Sequence, residues 1–266
     1  MMVSARQSLH VHSGLAWVMR MLPALLALAC SSGGADSAAP DVCDTPAAPA
    51  SCVARTLDAQ HYVDQSHAYF DTMDYEPYGT IEPDYAERVV RWEWPPWLRL
   101  TGFGAEEIKA VDAALVLFPS VGKERDCRAF DENPFGRCYV TFYYDDHEGR
   151  PCPIYEEFTF DSEGKITWIE AWTNLPGYLP MVASDTWAEG SENTRLSQRI
   201  PGLGNGEPLD IQSPALVEAA AADADVADFL DRAADWKKAW GELVSETDQD
   251  LMWAEGCGWV ANGTSY

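Results

Sequence analysis

Glu156 stands where a carboxyl group could do chemistry. It belongs to Cys152–Phe160, whose alternation puts Ile154, Glu156, Phe158 and Phe160 on one face of a strand. A carboxyl group among such neighbours is desolvated, and desolvation favours its neutral form. It then serves as a hydrogen-bond donor or as a general acid or base. The competing role is a buried carboxyl satisfied by a neighbour, because burial alone does not make a catalyst.

Other chemistries have weaker footing. His61, Asp64 and His67 recur at three-residue steps, which could gather metal ligands on one helix face. They lie off the apolar stripe of that helix, so a solvated face is the better reading, and no metal site is expected. No G-x-S-x-G, H-E-x-x-H or Walker A sequence occurs. Gly202, Gly204 and Gly206 follow no strand and lack dinucleotide spacing. Asp248 and Asp250 lack the glycine and downstream Glu of a calcium loop. No cofactor is implied.

The cysteines speak to compartment. There are seven. Arg6 and Arg20 precede an apolar run, Met21–Ala29, that is too short to cross a bilayer and fits a secretory signal over residues 1–29. Ala27-Leu28-Ala29-Cys30 resembles a bacterial lipobox, which makes Cys30 the expected lipidation site; ordinary cleavage after Ala29 is the alternative. Ser31 leans toward the outer membrane, so the expected location is the cell envelope, lipid-anchored. Six cysteines remain for three disulfides: Cys43, Cys52, Cys127, Cys138, Cys152 and Cys257. Cys127–Cys138 is a plausible local pair around the turn Asn133-Pro134-Phe135-Gly136, and the remaining connectivity is open. No C-x-x-C suggests zinc.

The chain carries a net charge of −25. Cleavage before Cys30 removes two arginines and no acid, leaving −27. Such a surface repels phosphate backbones and anionic headgroups, so no nucleic-acid partner is expected and only the lipid holds the membrane.

The elements follow from periodicity. Residues 30–55 read as a lipid-attached tether rich in small residues and proline. Residues 57–73 form a helix with Tyr62, Ser66, Tyr69, Phe70 and Met73 on its apolar face and Thr56 as N-cap. Residues 89–100 are extended and 105–118 a second helix. Strands are expected at Cys138–Tyr144, Cys152–Phe160 and Lys165–Thr173, the last two joined at Asp161-Ser162-Glu163-Gly164. On the last strand Thr167, Ile169, Ala171 and Thr173 turn inward, while Ile166, Trp168 and Trp172 turn outward. Ser213-Pro214 opens helix as cap and first turn, and the stripe Val226, Phe229, Leu230, Ala233, Trp240 and Leu243 predicts a final long helix. The expected class is α+β with an antiparallel sheet, in residues 56–175, followed by a loop and helical extension over 176–266. That extension, with Trp236, Trp240 and Leu243, is expected to cover the outer tryptophans. A homodimer through the same face is the alternative.

The hairpin Cys152–Ile166 resembles that of the nuclear transport factor 2-like superfamily, which includes ketosteroid isomerases and SnoaL-like cyclases. Tyr69-Phe70-Asp71-Thr72-Met73-Asp74 resembles the end of that family's first helix, and Gly104-Ala105-Glu106-Glu107-Ile108 the start of its next. The resemblance covers roughly residues 57–175 and implies a curved sheet wrapped on helices as a cone with an apolar cavity. It puts Glu156 where the isomerases carry an acid that donates to an oxyanion. The isomerase base falls near Trp94 or Pro95 and the oxyanion tyrosine near Ser66, so steroid isomerisation itself does not carry over. The implied functions are binding of a small apolar or aromatic molecule, or a cyclase, isomerase or dehydratase. Glu156 is then the acid or base, with Tyr155, Tyr69 or Asp64 assisting and Ser66, Tyr69, Trp94, Phe158 and Ile169 lining the cavity.

Overall fold

A computed structural model describes residues 43, 46, 52–73, 79, 81–94, 101–115, 120–144, 149–173, 196–235, 257 and 259. The elements run α1 (Ala59–Asp71), β1 (Tyr85–Glu93), β2 (Thr101–Phe103), α2 (Ala105–Leu115), β3 (Ser120–Ala129), β4 (Gly136–Tyr144), β5 (Arg150–Phe160), β6 (Ile166–Thr173), α3 (Leu196–Arg199), α4 (Pro214–Ala222) and α5 (Ala224–Ala234). The chain is α+β. The six strands among the described residues form one curved sheet in the order β2-β1-β6-β5-β4-β3. The sheet is mixed rather than wholly antiparallel. The strands from β3 to β6 make antiparallel neighbours, but β6 returns alongside β1 in the same direction.

The two faces have separate cores. On the inner face Tyr62, Tyr69, Phe70, Phe142, Phe158, Phe160 and Ile169 pack together under α1. On the outer face Trp92, Trp94, Tyr155, Trp168 and Trp172 pack against Leu196, Ile200, Leu216, Val226 and Phe229. Residues 196–233 of the same chain thus cover Trp168 and Trp172, both nearly inaccessible. Trp236, Trp240 and Leu243, expected to do this, lie outside the described residues, as do Cys30, Asp248 and Asp250.

Local differences from expectation have identifiable causes. Asp58, not Thr56, is the N-cap of α1; the Thr56 hydroxyl instead donates to the Ser162 carbonyl at 2.9 Å. The helical region after Ser213 holds two helices, and Trp240 and Leu243 of the expected final stripe lie outside the described residues. Asp223 ends α4 and turns its carboxylate onto the Asp225 and Val226 amides to start α5. Ser213 caps α4 as expected, accepting from the Leu216 amide. A bulge between Thr159 and Phe160 pairs Phe160 with Ile166 and Thr159 with Trp168. The extra residue resets parity, so Ile166 packs in the inner core although Trp168 faces out.

Three disulfides close the structure: Cys43–Cys52, Cys127–Cys138 and Cys152–Cys257. The second joins directly opposed residues of β3 and β4. The third spans 105 residues and attaches the C-terminal segment to β5.

Candidate functional site

Strand parity delivers Glu156 to the inner face, where it is wholly buried. Its carboxyl hydrogen-bonds the Tyr69 hydroxyl from α1. That hydroxyl also accepts from Arg91 Nη1 of β1 at 3.2 Å. The same nitrogen donates to Asp112 Oδ1 of α2, and the other Asp112 oxygen accepts from the Thr72 hydroxyl at 2.9 Å. A continuous polar chain therefore runs Glu156–Tyr69–Arg91–Asp112–Thr72 through an otherwise apolar core. Tyr85 and Glu93 stand close enough to act on it electrostatically.

The chain's ionisation follows from burial. Desolvation pushes the Glu156 carboxyl up to about 8, outweighing the opposing pull of the Tyr69 hydrogen bond and the Arg91 charge. At neutral pH it is mostly protonated and is a donor. Burial also raises the Tyr69 and Tyr85 phenols well above their ordinary value. Burial works against the charge on Arg91, but Asp112, Tyr69 and Glu93 around it keep the guanidinium firmly protonated. Three polar atoms at the heart of this cluster lack hydrogen-bond partners among the described residues: Glu156 Oε1, Arg91 Nε and Arg91 Nη2. Unfilled buried donors cost free energy, of order 1–3 kcal/mol each. They leave hydrogen-bonding capacity unused at this point of the core.

The residues nominated from sequence divide clearly. Tyr69, Phe158 and Ile169 share the inner core with Glu156. Ser66 is buried on the inner side, but its hydroxyl donates to the Tyr62 carbonyl at 2.8 Å and lies against Gly136. A Cβ at Gly136 would come within 2.9 Å of that oxygen, so Ser66 and Gly136 set the approach of α1 to β4. Tyr155 and Trp94 are on the outer face. Tyr155 stacks with Trp172 and leans on Tyr139. Trp94 donates its indole N–H to Glu170 at 2.6 Å. Neither meets Glu156. Alternation along β1 sends Val89, Arg91 and Glu93 inward, and so turns Trp94 to the other face. Asp64 accepts from Gln60 at 2.8 Å, His61 bonds the Gly164 carbonyl at 2.8 Å, and His67 stands beside Cys127. These three therefore serve separate contacts.

Local sequence pattern does not single out Arg91. Asp112 carried a signal, since it sits four residues after Ile108 on the stripe that α2 buries with Val111. A charged residue on that stripe requires a buried partner.

No protein-family model matches the sequence, and no curated protein matches it significantly.

Proposed function

We propose that this chain is an exported lipoprotein, anchored through Cys30 to the cell envelope, that takes a small apolar or aromatic molecule into the hollow of its curved sheet. Protonated Glu156 donates to an acceptor atom of that molecule, and Arg91 offers its unused N–H groups beside it. One observation carries this reading: a neutral acid and a guanidinium, both buried, keep unfilled hydrogen-bonding atoms in an aromatic surround. The order α1, β1, β2, α2 and then four successive strands supports a cone of the nuclear transport factor 2-like kind. The leader and odd cysteine count support the envelope location.

A second reading has its own support. A carboxyl group poised at about 8 exchanges protons readily near neutral pH, as a cyclase, isomerase or dehydratase needs. Titration with 1-naphthol, followed by its fluorescence, separates the two. Saturable binding is expected, kept within about threefold by Glu156→Gln and weakened about tenfold or more by Glu156→Leu. Loss of turnover with unchanged affinity in Glu156→Gln would establish the enzyme. Equal affinity in all three proteins, or none in the wild type, removes Glu156 from any ligand site.

A further inference from the structure

Away from Glu156, the outward residues of β4 and β5 border a hollow that the buried Trp259 closes from the inner core. The C-terminal helices lie over β2 and β6. Beside β4 and β5, a cavity of about 380 Å³ opens, walled by Tyr139, Tyr143 and Trp259, with Glu124 and Arg150 among its lining residues. We infer that this cavity binds an uncharged sugar of one or two rings.

The walls suit that chemistry. A sugar ring presents C–H groups on its faces and hydroxyls on its rim. Aromatic rings cover the first, and planar charged side chains hydrogen-bond the second in pairs. Glu124 accepts and Arg150 donates, so a pair of neighbouring hydroxyls can be served from both sides. Charge narrows the ligand further. An anion meets Glu124 and a chain of net charge −25; a cation meets Arg150. A neutral polyol meets neither cost. The volume falls within the range of small-molecule sites, roughly 300–1,000 Å³.

The walls are also held in place before any ligand arrives. The Trp259 indole donates to the Pro151 carbonyl at 2.5 Å, and the Arg150 guanidinium lies 5.8 Å from the centre of its ring. Cys257, two residues away, is bonded to Cys152 of β5. The Tyr143 hydroxyl bonds Glu124 and the Tyr139 hydroxyl bonds Thr141. Rings fixed in this way lose little entropy on binding.

Calorimetry on the disulfide-intact chain with cellobiose, chitobiose and maltose, with free tyrosine as a zwitterionic control, tests the inference. At least one disaccharide should bind saturably with Kd of about 1 mM or tighter. Trp259→Ala and Tyr143→Ala should each weaken it about tenfold, Glu124→Gln should weaken it severalfold, and Glu156→Gln should leave it unchanged. Glu124 is exposed, so that variant reports even where an aromatic replacement disturbs folding. Three results overturn the proposal. One is no saturable heat from any disaccharide. Another is tighter binding of tyrosine. The last is a concentration-dependent dimer abolished by Tyr143→Ala, which would assign the hollow to a second copy of the chain.

Discussion

Glu156 and Glu170 are buried glutamates on neighbouring strands, on opposite faces of one sheet, and they have opposite fates. Glu170 lies on the outer face and is surrounded by donors. Its two oxygens accept from the Trp94 and Trp168 indoles and from the Leu196 and Ser197 amides, at 2.6 to 3.3 Å. It binds the C-terminal segment to the sheet and has nothing left to offer a ligand. Glu156 has the Tyr69 hydroxyl for one oxygen and no described partner for the other. Burial is the same; the donor supply differs. A carboxylate that receives four N–H groups is a structural tie, whereas one deprived of them takes up a proton and becomes an acid.

The largest effect expected from this difference is in the pH dependence of folding. The folded chain keeps a proton on Glu156 up to about pH 8, whereas the unfolded chain releases it near 4.5. The contribution of Glu156 is therefore complete below about pH 4.5 and is lost as pH rises, by roughly 5 kcal/mol on passing pH 8. Glu156→Gln should flatten this part of the curve in urea titrations between pH 4.5 and 8.5. A wild type and Gln variant with parallel pH profiles would place Glu156 with Glu170 as a satisfied carboxylate.

Glu170→Ala should cost about 4 kcal/mol at neutral pH, because four N–H groups lose their acceptor together. Hydrogen exchange should rise first at Leu196 and Ser197. A loss under about 1 kcal/mol would mean that apolar contact alone holds the outer helices.

A smaller effect tests how closely α1 approaches the sheet above the inner site. Gly136→Ala should destabilise by about 1–2 kcal/mol, because the new Cβ meets the Ser66 oxygen. Ser66→Ala in the same chain should recover part of that loss. Additive costs would show that the two residues do not meet.

What the sequence made legible follows the same division. Period-two alternation in β5 identified the face and the environment of Glu156, and the turn around Pro134 identified Cys127–Cys138. Parity failed in β6 because a bulge is a property of pairing, invisible in one strand alone. The strand β3 went unread: Ser120–Ala129 is heavily charged, as befits the sheet's edge, so it lacks a hydrophobic alternation. The Arg91–Asp112 pair joins residues 21 positions apart, and the Cys152–Cys257 pair 105. Such separations are set by the path of the chain, which no local pattern encodes.

The protonation state of Glu156 decides whether the inner cluster holds an acid or a structural tie. Carboxyl carbon chemical shifts of selectively labelled glutamate, assigned by comparison with Glu156→Gln and followed from pH 4 to 9, measure it directly. A resonance titrating near pH 8 and missing from the variant is expected. A Glu156 midpoint at or below the ordinary value of 4.5 would contradict that expectation.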